Sequence, residues 1–99
     1  MAEVIWAVRA YEHLSQIGEY IEKDSPFQAK RVVQLVIRET HWLKDNIRIG
    51  SMIHEMRDDM YRELKVFSYR IICKIENDER VAIVAIVHAR RLLDRTVMD

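Results

Sequence analysis

The stretch MYRELKVFSYRIICKIENDERVAIVAIVHARR, running from Met60 to Arg91, decides the fold. It reads as three short strands joined by tight turns. Tyr69, Ile71, Cys73 and Ile75 alternate with Arg70, Lys74 and Glu76, the period-two pattern of a half-buried strand. Val81 to Val87 is continuously apolar, which suits a central strand covered on both faces. That run ends abruptly in His88, Ala89, Arg90 and Arg91, so it delivers cationic side chains to one rim of the sheet. Asn77-Asp78-Glu79-Arg80 reads as a four-residue hairpin turn between the last two strands.

Upstream, Val4 to Ala7 is a short strand leading into a helix. Ala10, Leu14, Ile17 and Ile21 recur at intervals of four, three and four and line one helical face, with Glu12, Glu19 and Glu22 off that stripe. The second helix has a clear start. Ser25 suits the cap, Pro26 the first turn, where no amide bond is lost, and Gln28 the reciprocal capping position. Ala29, Val32, Val33, Val36, Thr40 and Leu43 continue its stripe to about Lys44, with Trp42 beside it. Asp45 to Asp59 shows no sustained period, and Met52, Ile53 and Met56 there suit either a short strand or a strapped-down loop. The expectation is an α+β fold, with an N-terminal strand and a helical hairpin packed on one face of a mostly antiparallel sheet. Val32, Val36, Ile71, Ile75, Ile83 and Val84 or its neighbours are expected in one core.

The chain's 99 residues read as a single domain spanning 1–99, 49% apolar with two glycines and one proline, which argues against disorder. Cys73 is the only cysteine, so no disulfide can form within the chain, and it faces the same way as Ile71 and Ile75. No segment approaches the roughly 20 apolar residues that span a bilayer. The N-terminus lacks a basic region followed by an apolar run, so the cytoplasm is the expected location. Sixteen Lys and Arg balance sixteen Asp and Glu. The balance is uneven along the chain. From Arg62 to Arg95 there are eight basic residues against five acidic, and from Met1 to Tyr61 eight against ten. The C-terminal third can therefore meet an anionic partner, although solvated surface charge explains the asymmetry about as well.

His13, His41, His54 and His88 are scattered and lack the recurrent spacings of a metal site, and no glycine-rich phosphate loop exists. Neither metal nor cofactor is expected. An RNA-cleaving chemistry needs an acid/base group and cations on the phosphate. His88 at a strand end is the natural acid/base, because imidazole titrates near neutrality. Arg70 and Arg90 can neutralise phosphate, with Arg62 on the neighbouring strand. The same residues also fit a structural role, since Arg62, Glu63 and Arg70 can form cross-strand ion pairs. Trp6, Trp42 and Phe67 lie off or at the margin of the best stripes, and an exposed aromatic cluster would mark a partner groove.

The order Arg62-Glu63-Leu64, Tyr69-Arg70-Ile71-Ile72, then an apolar strand into His88-x-Arg90-Arg91 resembles the RelE/ParE superfamily of bacterial toxins. Val4-Ile5-Trp6 with Ala10, Leu14, Ile17, Tyr20 and Ile21 matches its opening strand and helix, and Asp24-Ser25-Pro26 with Ala29 its second helix. Within the superfamily the chain is most similar to the ParE-type plasmid-stabilisation toxins. That resemblance implies the toxin of a type II toxin–antitoxin system, poisoning DNA gyrase and neutralised by a cognate antitoxin, without enzymatic activity. The RelE branch implies instead a ribosome-dependent mRNA endoribonuclease, for which His88, Arg70, Arg62 and Arg90 are the site residues. Against that branch, Ala89 stands where such nucleases tend to carry tyrosine after the histidine, and a lysine-rich surface is missing. A third possibility is a retired toxin that only binds antitoxin. Arg90, Arg91 and Trp42 are the expected partner-binding residues.

Overall fold

The start of the second helix is set by Ser25, whose side chain accepts a hydrogen bond from the Gln28 N–H at 3.1 Å. With Pro26 in the first turn, this starts a helix without a lost amide bond. The computed structural model describes residues 1–91 and 93. In chain order the elements are β1 (Glu3–Trp6), α1 (Val8–Glu22), α2 (Pro26–His41), a 3-10 turn (Trp42–Lys44), β2 (Ser51–Met52), β3 (Tyr61–Val66), β4 (Tyr69–Asn77) and β5 (Arg80–His88). The helix α1 starts two residues before its apolar stripe, because Val8 faces solvent and Ala10 is the first residue to be buried. The second helix stops at His41, and its last stripe residue, Leu43, is buried from the 3-10 turn instead.

The sheet has five strands in the order β1-β5-β4-β3-β2. β1 runs parallel to β5, and every other pair is antiparallel. The helical hairpin covers one face, where Ala10, Leu14, Val32, Val36 and Leu43 meet Ile71, Cys73, Ile75, Val81, Ile83 and Ile86. Gly18 lets the two helices approach closely, since a Cβ there would sit 3.3 Å from Val33 Cγ2. Burial of the Cys73 thiol pushes its pKa up to about 12, which leaves it an inert core residue.

β4 is not the one-sided strand that its alternation predicts. Arg70 and Ile72 are as buried as Ile71 and Cys73. The reason lies in the aperiodic segment. After the two residues of β2, Ile53 and Met56 fold back across the second face and, with Leu93, pack on Tyr61, Ile72, Ala85 and Val87. Gly50 permits this path, because a Cβ there would lie 2.8 Å from the Glu63 carbonyl oxygen. A bulge then explains the unbroken apolar run of β5. Ile72 pairs with Ala85 and Cys73 with Ile83, so Val84 is an extra residue and the alternation changes phase there. Val81, Ile83 and Ile86 face the helices, while Val84 packs at the edge of the second cluster rather than in the helical core.

Both hairpin turns are tight, as the sequence suggests. Asp78 and Glu79 alone form the β4–β5 loop, with a second bulge at Glu76 and the Glu79 N–H donating to Asn77 Oδ1 at 2.8 Å. The β3–β4 turn consists of Phe67 and Ser68, and Phe67 has φ 53°. That left-handed region costs a residue with a side chain about 1–2 kcal/mol. Beyond the end of β1, the free edge of β5 is covered by α1, where His13 Nδ1 accepts the Ile86 N–H at 3.1 Å. Burial, then Arg9 and Arg91, hold the His13 pKa below its ordinary value, which keeps that nitrogen an acceptor.

Ile83 is fully buried at the centre of the helical face. Ile83→Ala is expected to lower unfolding stability by about 2–5 kcal/mol in urea denaturation, the range for a core isoleucine that leaves a cavity. A loss under roughly 1 kcal/mol would mean that this part of the sheet is not tightly packed.

Candidate functional site

Arg70 lies on the second face of β4, 7% exposed, and every donor of its guanidinium has a partner. Nε donates to Glu63 Oε2 at 2.9 Å, and Nη2 donates to the same oxygen and to Glu55 Oε1 at 2.8 Å. Nη1 donates to Glu55 Oε2 at 2.7 Å and to the Arg91 carbonyl at 3.0 Å. Glu55 Oε2 also accepts the Leu93 N–H at 3.0 Å. One side chain thus ties together β3, β4, the segment at Ile53–Met56 and the chain leaving β5. Among the described residues no buried side-chain nitrogen or oxygen lacks a partner.

The electrostatics follow from that geometry. The hydrogen bonds from Arg70 hold the Glu55 carboxyl at about 2, below its ordinary 4.5, against burial, which pushes it up. Arg70 in turn is held above its ordinary value, chiefly by Glu55 and then Glu63, with burial opposing. Glu63 is further offset by Lys65 Nζ, 3.8 Å from its Oε1. A buried ion cluster of this kind fixes conformation more than it adds stability, but removing one partner strands the others in a dry site.

The remaining sequence candidates are distributed differently. Strand alternation puts His88 with Ile86 on the helical face, opposite to Arg70. His88 is exposed, meets Tyr69 edge-on with centroids 6.0 Å apart, and accepts the Arg90 N–H on Nδ1 at 3.2 Å. Arg62 points to the helical side of β3, where its Nη2 donates to Asp59 Oδ1 at 2.6 Å and its Nη1 to the Gly50 carbonyl. Its β4 neighbour is Cys73, whereas that of His88 is Tyr69. Four residues of strand separate them, roughly 13 Å. His88, Arg62 and Arg70 therefore do not surround a common point. Arg90 and Arg91 are exposed at the rim, and Ala89 joins it to the β3–β4 turn by donating its N–H to the Ser68 carbonyl at 2.7 Å.

Trp42 is half-exposed where α2 ends, while Phe67 lies beside Arg31 on the first half of α2, so the off-stripe aromatics do not cluster. Among the described residues no group of three or more His, Cys, Asp or Glu is placed to hold a metal ion. No helix there is long and apolar enough to cross a membrane. An open, mainly apolar groove of about 360 Å³ runs between the two helices, lined by Tyr11, Leu14, Gly18, Glu19, Val33 and Ile37 among others. Glu55 was not legible as part of any site, because it sits in the aperiodic segment. Its only signal is a carboxylate between Ile53 and Met56, two residues that both turn out buried.

A helical hairpin on one face of a five-stranded mixed sheet is the fold that the superfamily resemblance leads one to expect. The family model for the ParE toxin of type II toxin–antitoxin systems, parDE, matches residues 4–93, and the chain belongs to that family. Among solved structures, a chain of the chromosomal ParDE toxin–antitoxin system from P. aeruginosa is similar. Its TM-score is 0.73 at 17% identity, over 91% of this chain and 98% of that one. At that identity the likeness is one of fold. Comparison with curated proteins found no match.

The depressed Glu55 pKa has a pH consequence. A carboxyl whose folded pKa lies below its unfolded one stabilises the fold fully above about pH 4.5, and that contribution is lost as pH falls toward about 2. Glu55→Gln is expected to lower stability at pH 7 and to flatten the acid limb of a stability-against-pH curve between those values. An unchanged acid limb in a folded Glu55→Gln protein would show that the carboxylate is not engaged.

Proposed function

We propose that this chain is the toxin of a type II toxin–antitoxin pair, that it acts in the cytoplasm by binding DNA gyrase, and that a cognate antitoxin holds it inactive. Membership of the ParE family supports the toxin role. The observation that carries the non-enzymatic reading is the saturation of Arg70. An RNA-cleaving site on these strands needs this cation free to face a phosphate. Here its five donors are directed at two carboxylates and a carbonyl on the face opposite His88. On that other face His88 has the Tyr69 ring and a backbone amide as its neighbours, with Arg70 turned away from both.

Neutralisation fits the exposed side of the hairpin. Tyr11 and Ile37 stand open at the groove between α1 and α2, with Val8, Tyr20 and Phe27 exposed along the same two helices. An antitoxin segment that folds on binding can cover such a surface through apolar contacts.

The test pairs a gyrase supercoiling assay with an in vitro translation assay for mRNA cleavage, and adds growth assays of folded variants. The expected result is supercoiling inhibition without cleavage, with His88→Gln keeping toxicity within a few-fold and Arg90→Glu with Arg91→Glu reducing it. Cleavage by the wild-type protein, slowed about 10²–10⁴-fold in His88→Gln, would replace gyrase with the ribosome-dependent nuclease reading. Absence of both activities, with antitoxin binding retained, would leave the retired toxin.

A further inference from the structure

The sheet is electrically polarised along its strands. At the end formed by the β4–β5 loop, Glu76, Asp78, Glu79 and Glu3 gather with Lys74 and Arg80. At the other end the segments 64–72 and 84–93 contain Lys65, Arg70, His88, Arg90 and Arg91 and no acidic residue. Arg70 is turned inward and Lys65, although exposed, lies 3.8 Å from Glu63 Oε1, whereas Arg90 and Arg91 are exposed at the rim. Neither Arg90 nor Arg91 has a carboxylate at ion-pair distance among the described residues. Arg31 of α2 adds a further cation over the Phe67 ring, 5.7 Å from its centroid.

Phe67 stands in the middle of this rim. It is the only non-glycine residue with positive φ among the described residues. The first position of a two-residue hairpin with φ above zero favours glycine, and a bulky residue there is a clear outlier. Nothing in the core requires the ring, because it is 55% exposed. A strained, half-open aromatic with a guanidinium over it has the make-up of an interface anchor. The arginines beside it are already positioned, because the Arg91 carbonyl is held by Arg70 and the Arg91 N–H donates to the His88 carbonyl at 3.0 Å.

We propose that the Phe67 turn, with Arg31, Lys65 and the Arg90–Arg91 pair around it, is the docking surface for an acidic segment of the toxin's target protein, and that Phe67 is its apolar anchor. The inference rests on the reading that this chain acts by occupying a protein. Charge separates this surface from the one assigned to the antitoxin. The groove between α1 and α2 carries Glu19 and Glu22 and no basic lining residue, so the two surfaces select segments of opposite charge. A single aromatic prong among a few cations, on a chain of zero formal charge, fits a polypeptide better than a nucleic-acid strand, which wants successive stacking rings along a basic channel.

The test is an NMR titration of the isotope-labelled full chain with a short peptide of alternating glutamate and leucine, and separately with an oligothymidylate of equal charge. The peptide is expected to move the amide resonances of Phe67, Ser68, Ala89 and Arg90. Phe67→Gly should weaken peptide binding by about tenfold while raising the melting temperature, because the glycine relieves the backbone strain. Phe67→Tyr, which keeps a ring, should bind within about threefold of wild type. Shifts confined to the helical groove, tighter binding of the oligothymidylate, or wild-type affinity in Phe67→Gly would overturn the proposal. Gyrase inhibition reports on the target alone: if it is absent while the titration behaves as stated, the target is wrong and the rim stands.

Discussion

The guanidinium of Arg70 is the one group on which the far side of this protein depends. Helices shield only one face of the sheet, and a sheet buried on a single face would leave Ile72, Ala85 and Val87 in water. Two carboxylates, a carbonyl and an amide converge on or beside Arg70, and through them the Ile53–Met56 segment and the chain after β5 become a second cover. The ions do not drive folding, since the desolvation of three charged groups offsets most of their attraction. They decide instead where two otherwise irregular pieces of chain lie.

That role has a consequence for function. The same clasp that closes the second face fixes the backbone at Arg91, and so aims the arginine pair at the rim. It also withdraws Arg70 from solvent. A residue that reads in sequence as a phosphate ligand is, in this structure, engaged as a scaffold for its neighbours, which is the basis for proposing the rim as a binding surface. If the two proposed surfaces are used as such, the opposite signs of the helical groove and the rim let one small chain discriminate between partners, by repulsion as much as by attraction.

Much of this architecture is written in local pattern. The Ser25-Pro26 start, the two helical stripes and the three C-terminal strands follow from periodicity and capping alone, because each is set by residues within a few positions of one another. The order of motifs from Arg62 to Arg91 was enough to place the chain beside its family. What pattern could not supply is long-range. The burial of Arg70 depends on Glu55, fifteen residues away in a segment without period, and on the Arg91 carbonyl, twenty-one residues downstream. The bulge at Val84 was hidden because a uniformly apolar run carries no phase to lose. The strain at Phe67 was equally silent, since a phenylalanine in a turn gives no sign of a positive φ.

A double-mutant cycle between Glu55 and Arg70, read as unfolding stability at neutral pH, addresses the clasp most directly. Glu55→Gln, Arg70→Met and the double variant would be compared with wild type. If Arg70 is a structural clasp, the two sites are coupled by about 2 kcal/mol or more, and the double variant is less damaged than the two single losses added together. Independent, additive losses, with coupling under about 0.5 kcal/mol, would contradict it and return Arg70 to the list of residues free to meet a substrate.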